Sequence, residues 1–274
     1  VTSAVIFSKD RAAQLDLCLR SIKENAAGFV NDVVVLWKAS HRDHEKGYNL
    51  CRADHPDVMF IRESDFWNDT LAIVNNGYLN ETAMFVMDDD VIYRPVVAPY
   101  PEDVLELNGR AICFSLRLGA NTTECYPLRR SQGQPHITFS PVGEGQYGTW
   151  DWMASDADFG YPGSLDGHVF RTPELAMMLE GATFSNPNQL EEALVSSTRH
   201  MLAPTMCGYR LSHLVGIPAN RVSDTHHTNR YGETNYEPET LLNRTYLDGS
   251  RITLDSVDPR KVNAAHVEFP LVFV

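Results

Sequence analysis

The apolar residues of this chain fall into short runs separated by stretches of helical patterning. Residues 4–7 (Ala-Val-Ile-Phe), 32–37, 58–61 and 84–87 each read as a strand. Between the first two, Leu15, Cys18, Leu19 and Ile22 recur at helical spacing. Asp10 is placed to cap that helix, and Gly28 to end it. A second helix is predicted over 65–79, with Phe66, Leu71, Ile73, Val74 and Tyr78 on its buried side. The order strand-helix-strand-strand-helix-strand predicts an α/β fold with a mostly parallel central sheet flanked by helices. Residues 111–118 predict a further strand, and 149–153 a strand of a smaller, mixed C-terminal part. The segment 121–148 is rich in Gly, Pro, Thr, Ser and Gln and reads as turns, hairpins or a mobile loop. The segment 158–171 contains Gly160, Pro162, Gly163 and Gly167 and reads as turn-dominated. Residues 172–179 predict a helix with Pro173 in its first turn, and another starts at Asn186-Pro187. After 235 the pattern is irregular, apart from a short strand within 267–274. A single domain is expected, with halves at 1–118 and 119–274.

Composition narrows the class of partner. The 274 residues are 43% hydrophobic, enough for a sizeable core. The formal net charge is −13, from 23 basic and 36 acidic residues. That balance argues against a nucleic-acid surface and against docking on anionic lipid by charge. An anionic substrate then needs local neutralisation, by a metal and a few placed arginines. The five cysteines have no C-x-x-C or Cys/His zinc spacing, so reduced thiols and a cytoplasmic location are expected. No apolar run approaches the length of a membrane span. Asn68, Asn80, Asn121 and Asn243 begin glycosylation-type triplets, which matter only in a secretory compartment.

Against this background one stretch stands out. The run 84–87 leads straight into Asp88, Asp89 and Asp90, and Val91, Ile92 and Pro95 follow. An apolar run without alternation reads as a strand buried on both faces. In open α/β sheets ligands bind beyond the carboxyl ends of the strands. Three acids there repel one another unless something positive sits among them. Mg²⁺ or Mn²⁺ suits such a place, since it takes one or two carboxylates and completes its shell with substrate phosphates.

Four places, taken in order, resemble nucleotide-sugar-dependent glycosyltransferases of the A-type fold, particularly the inverting family 2. Val5-Ile-Phe-Ser-Lys-Asp-Arg11, followed by Leu15, Cys18, Leu19 and Ile22, is similar to that family's opening strand, loop and helix. Met87-Asp-Asp-Asp90 resembles its Asp-x-Asp motif. Gly167-His-Val-Phe-Arg171 resembles its acceptor segment, and Asn188-Gln-Leu-Glu-Glu192 its acidic pair with the catalytic base. The resemblance implies metal-dependent transfer of a sugar from a nucleoside-diphosphate sugar to a hydroxyl acceptor such as a glycan. It makes 1–118 the nucleotide-sugar half and 119–274 the acceptor half with a C-terminal lid. Strand two departs from the pattern. Many members place an Asp after it to read the nucleobase, whereas this chain reads Leu36-Trp-Lys-Ala-Ser-His41.

The residues supply candidates for each role. Asp90 is the expected metal ligand, with Asp88 or Asp89 near the ribose and metal-bound water, so that the cation acts as a Lewis acid on the leaving diphosphate. Ser8, Lys9 and Arg11 follow the first strand, where nucleotide contacts are made, and Arg11 faces either the diphosphate or the base. One of His226 and His227 completes the metal shell, because adjacent residues on a strand point opposite ways. Arg171 and Arg230 are further donor-binding candidates, although Arg230 also stands close to Asp224. Glu191 is the first candidate for the base that deprotonates the acceptor, then Glu192, then Asp166. Asn188-x-x-Glu191 also matches a capping box. Trp150, Asp151, Trp152 and Tyr161 form either a sugar platform or part of the core. A nucleotidyltransferase on the same sheet and a non-catalytic sugar-binding module are the alternative functions.

Overall fold

The computed structural model describes residues 1–141, 145–222 and 230–274. The N-terminal half is built from β1 (Thr2–Lys9), α1 (Ala12–Asn25), β2 (Val30–Lys38), α2 (Arg42–Asp54), β3 (Met59–Arg62), α3 (Phe66–Asn75) and β4 (Thr82–Met87). These strands pair in parallel in the order β3-β2-β1-β4. Phe7 of β1 stands level with Leu36 of β2 and Met87 of β4, so the carboxyl ends of three strands share one edge.

The chain continues through β5 (Asp90–Ile92), α4 (Pro101–Leu107), β6 (Ala111–Ser115), β7 (Glu124–Cys125), β8 (Arg130–Ser131), β9 (Thr138–Phe139), β10 (Tyr147–Asp151), β11 (His168–Arg171), α5 (Thr172–Leu179), α6 (Pro187–Thr198), β12 (Thr205–Tyr209), β13 (Leu214–Gly216) and α7 (Glu239–Leu247). Among the described residues the main sheet has nine strands, ordered β3-β2-β1-β4-β11-β6-β12-β10-β9. β11 runs antiparallel to both β4 and β6, and β10 runs antiparallel to β12. The sheet is therefore parallel on the N-terminal side and mixed on the other, as expected. β13 and β5 form a separate antiparallel pair, in which Asp90 of the acidic triplet stands opposite Gly216.

Both faces of the sheet are covered, which explains the unbroken apolar runs. Along β1, Ala4 and Ile6 join a core with Leu15, Tyr48 and Leu242, on the side of α1, α2 and α7. Val5 and Phe7 join a second core with Phe66, Leu175 and Leu190, on the side of α3, α5 and α6. All five cysteines are buried and free. Among the described residues, no helix is long and apolar enough to cross a membrane.

Several expectations are corrected. α2 shows little apolar periodicity, because its buried face is His44, Gly47, Tyr48 and Cys51. A Cβ on Gly47 would stand 2.1 Å from Asn243 Oδ1 and 2.9 Å from Ala12 Cβ, so the glycine lets α2 close on α1 and α7. The end of the turn-rich segment 158–171 is β11, too short at four residues to show alternation. The irregular C-terminal stretch contains α7, whose Leu242 and Tyr246 are one turn apart and buried. In 267–274, Phe273 makes only an isolated bridge to Ile252. Asp10 does not cap α1. It has a φ of 59°, and its carboxylate accepts a hydrogen bond from the Ser40 amide at 2.7 Å.

Gly47→Val forces α2 away from α1 and α7. We expect a loss of about 2 kcal/mol, typical of overpacking, read as a lower midpoint in denaturant unfolding followed by circular dichroism.

Candidate active site

A cavity of about 790 Å³ opens along the carboxyl edge of the sheet. Ser8, Lys9, Arg11, Asp88, Asp89, Arg117, Asp158, Asp166, Glu191, Arg230 and His266 all line it. Two clusters of charge organise it.

The first cluster joins the ends of β1 and β4. Asp88 is 1% exposed. Its Oδ2 accepts hydrogen bonds from Ser8 Oγ at 2.8 Å and the Lys9 amide at 3.3 Å. Arg11 Nη1 donates to Asp88 Oδ1 and to Asp89 Oδ2, both at 3.1 Å. The rest of the guanidinium is held by Asn220, through Nε to Oδ1 at 2.7 Å and Nη2 to the backbone carbonyl. Burial pushes the Asp88 carboxyl up to about 6, with Arg11 opposing the rise. The positive charge among these acids is thus a guanidinium. Asp90 has turned away: its Oδ2 accepts from the Met87 amide at 2.9 Å, and its buried Oδ1 has no partner. Burial and the nearby charges of Asp166 and Asp89 hold its carboxyl well above the usual range. Among the described residues, no three His, Cys, Asp or Glu side chains stand where they could hold a metal ion.

The second cluster lies beyond β6 and β11. Arg117 follows β6 by two residues and is 4% exposed. Its Nη1 donates to Asp166 Oδ2 at 2.6 Å and to Ser164, and its Nη2 donates to Asp158 Oδ1 at 2.8 Å. His266 Nε2 is 3.3 Å from Asp166 Oδ2. Burial would raise the Asp166 carboxyl, but His266 and Arg117 hold it well below its ordinary value. Glu191 accepts a hydrogen bond from the Leu165 amide at 3.3 Å. Burial, and then the charge of Asp166, push Glu191 up to about 7.

Local structure explains why Glu191 reaches the cavity. The cap of α6 is Asn186, whose Oδ1 accepts from the Gln189 amide at 3.1 Å, with Pro187 in the first turn. Gln189 reaches back to the Ser185 amide at 2.8 Å. The capping roles belong to Asn186 and Gln189, not to Asn188 and Glu191, which leaves the Glu191 carboxylate to the site.

The remaining candidates are sorted by position. Glu192 is exposed and lies outside the cavity. Arg171 is also outside it. Because β11 runs antiparallel, Arg171 pairs with Thr82 at the start of β4, at the opposite end of the sheet from Asp88. Its guanidinium holds the carbonyls of Leu105, Asn108 and Ala111. Lys9 Nζ donates to the Val222 carbonyl at 3.1 Å. Arg230 lies over the Tyr126 ring at 4.0 Å and pairs with Glu233 at 2.6 Å. His226 and His227 lie outside the described residues. Trp150 and Trp152 are core residues, their indoles donating to the Phe159 and Ala203 carbonyls, whereas Tyr161 lines the cavity. Arg117, Asp158 and His266 were not anticipated. Arg117 had a signal, a charge set inside the apolar run 111–118. His266 had none.

No family model matches the chain. Over an alignment of 210 positions that covers 68% of the chain, it is 27% identical to "Bifunctional glycosyltransferase pgtA" of Dictyostelium discoideum. The chain spans 27% of that relative. The relative carries the glycosyltransferase name to which the motif order points. Among solved structures, TarS of S. aureus in complex with UDP is 12% identical, with 78% of this chain and 60% of that chain covered and a TM-score of 0.48. A mycobacterial protein is 12% identical, with 81% and 68% covered and a TM-score of 0.46.

Arg11→Gln leaves the buried Asp88 and the partly exposed Asp89 without their cation. We expect a loss of roughly 3–5 kcal/mol at neutral pH, read by denaturant unfolding. A loss under about 1 kcal/mol would mean solvent, not Arg11, carries those charges.

Proposed function

We propose that this chain transfers a sugar from a nucleoside-diphosphate sugar to a hydroxyl acceptor, a glycan being the natural class, with inversion at the sugar. The observation that carries the reading is one cavity in which Asp88, Asp89 and Arg11 face Glu191, a carboxylate poised near neutrality. The similarity to pgtA supports the same reaction class.

The division of labour follows from environment. A general base works best when its pKa lies near the working pH. Glu191 meets that condition, and Asp166 does not, because His266 and Arg117 hold its proton affinity down. In this reading Glu191 takes the proton from the acceptor hydroxyl as oxygen attacks the anomeric carbon from the face opposite the diphosphate. Asp166, fixed by Arg117 and Ser164, orients the acceptor. Leu165 and Tyr161 wall the acceptor end, and Lys9 and Arg230 stand on the cavity lining for the departing diphosphate.

Mn²⁺ or Mg²⁺ belongs to the proposal. The donor set suits it in part. Asp90 Oδ1 is orphaned, and a Cβ on Gly216 would stand 3.2 Å from it and 3.0 Å from His266 Nε2. That Cβ would also stand 2.5 Å from His266 Cδ2, so the glycine admits the imidazole ring beside Asp90; His266 Nε2 is engaged by Asp166, and the orphaned Asp90 oxygen is the atom that would hold the ion. When bound, the ion neutralises charge on the leaving diphosphate.

Two experiments test the reading. A screen of nucleotide sugars for metal-dependent hydrolysis should find a donor, and Asp90→Ala should abolish its turnover; full activity in that variant would contradict the metal role. With the donor known, kcat/KM should rise with pH through about 7, because Glu191 must be ionised to accept the proton. Glu191→Gln should remove that limb and cost about 10²–10⁴-fold in kcat, with donor affinity retained.

A further inference from the structure

The ion pair between Arg117 and Asp158 is incomplete, and the chemistry described so far does not use it. Arg117 Nη2 donates to Asp158 Oδ1 at 2.8 Å, and both residues line the cavity. They are 4% and 6% exposed. Among the described residues, each keeps one buried atom without a partner: Nε of Arg117, a donor, and Oδ2 of Asp158, an acceptor. Such orphans are costly in an interior, since each has given up water and gained no partner. Cys125 stands beside Asp158 on the cavity wall, where burial first and the charge of Asp158 second raise its thiol. A thiol is a weak donor and does not satisfy a carboxylate.

The backbone around Asp158 is shaped to hold it there. The residue sits in a single 3₁₀ turn, Ala157–Gly160. The turn is entered through Ala157 at a φ of 51°, a left-handed conformation unfavourable for a residue with a Cβ. The Asp156 carboxylate accepts from the Ala157 amide at 2.7 Å, and the Asp158 amide donates to Gln132 Oε1 at 3.1 Å. Gln132 is itself buried, and its Nε2 donates to the carbonyls of Thr122 and Glu124. Residues held in sparsely populated backbone conformations cluster at ligand sites.

The two orphans define what can complete the pair. A carboxylate or phosphate can take the hydrogen of Nε but gives nothing to Oδ2. An ammonium satisfies Oδ2 but not Nε. A hydroxyl does both, since it donates one hydrogen and accepts through its lone pairs. The surroundings point the same way. Arg117 has committed both Nη groups, and Asp166 shares the guanidinium with Asp158. Glu191 is close enough to feel the charge of Asp166. An acidic ligand group there meets the carboxyl groups of Asp158, Asp166 and Glu191. We propose that the Arg117–Asp158 pair reads one hydroxyl of a neutral acceptor sugar, which donates to Asp158 Oδ2 and accepts from Arg117 Nε, and that uronic acids and sugar phosphates are excluded as acceptors. The hydroxyl that is read is not the one that Glu191 deprotonates. This specificity deepens the transferase reading and rests on it.

Titration of methyl glycosides followed by ligand-observed NMR, with Mn²⁺ and UDP or GDP present, tests the proposal. Neutral gluco, galacto and manno hexosides are each compared with the matching hexuronide and hexoside 6-phosphate. On the wild-type chain at least one neutral glycoside should bind about ten-fold or more tighter than its acidic counterparts. Monodeoxy forms of that glycoside should show one position at which loss of the hydroxyl weakens binding about ten-fold or more. These two comparisons need no variant. Asp158→Asn keeps an oxygen for Arg117 Nη2 but sets an amide donor in place of Oδ2, so the neutral-to-acidic ratio should fall to within about three-fold. The melting temperature and nucleotide affinity of the variant check that the fold and the donor end are intact. Three results overturn the inference and leave the transferase reading in place. Acidic glycosides bind as well as neutral ones, or the ratio is unchanged in Asp158→Asn, or every deoxy position shows the same small loss because a resident water joins Nε to Oδ2. Failure of every glycoside to bind overturns both.

Discussion

The arrangement of the site depends on one guanidinium. Arg11 lies between the carboxylates that end β4, and 8% of it is exposed. Two adjacent acids at the tip of a strand, Asp88 buried and Asp89 partly so, would otherwise force each other apart or take up protons. Arg11 is also tied to Asn220, far along the chain, so the same group fastens the segment after β13 over the end of β1. Tyr48 completes the assembly from α2, through a 2.7 Å hydrogen bond to Ser8 and a 3.2 Å bond from the Arg11 amide. Strand, loop, helix and C-terminal segment meet at this ion cluster.

That cluster also shows what was legible in the sequence. The strands at 84–87 and 4–7, the acids after the former and the basic loop after the latter were readable because buried parallel strands are continuous apolar runs and punctuation follows them. Helix 172–179 was readable to the residue from Pro173 and its flanks. That Arg11 would pair with both Asp88 and Asp89 was not readable, since it requires the register Phe7 to Met87, which only the folded sheet supplies. α2 was missed for a related reason: its buried face has only Tyr48 and Cys51 as apolar members beside His44 and Gly47, and its packing depends on Asn243, far along the chain.

The second charged cluster was legible in parts. Glu191 and Asp166 carried local signals, a helix start and an Asp-Gly turn, and both reach the cavity. Arg171 was drawn from the same kind of motif and sits at the far end of the sheet. The difference is direction. β11 runs against its neighbours, so the Gly167 end, next to Asp166, lies on the site edge while Arg171 is carried away from it. A motif read as one block is split by the strand it forms. His266 illustrates the opposite case. It bridges to Gly216 and reaches Asp166 from a stretch without regular structure, where no periodicity marks it.

Environment, not identity, separates the acids in and beside the cavity. Asp166, Asp88 and Glu191 on its lining, and Asp90 next to Asp89, have similar intrinsic strength, yet each is treated differently. Asp166 is saturated by Arg117, Ser164 and His266 and stays charged. Asp88 shares Arg11 with Asp89 and is held between burial and its cation. Asp90 keeps one oxygen without a partner. Glu191 has a backbone amide, burial and the negative charge of Asp166 beside it. Environments that push neighbouring titratable groups apart are how a single site runs different proton chemistry. Arg117 is the pivot: by committing both arms to Asp166 and Asp158, it fixes the negative charge that raises Glu191 while giving Glu191 no direct hydrogen bond. In the proposed transfer, burial first and the charge of Asp166 second bring the base towards neutrality, against the opposing charge of Arg117.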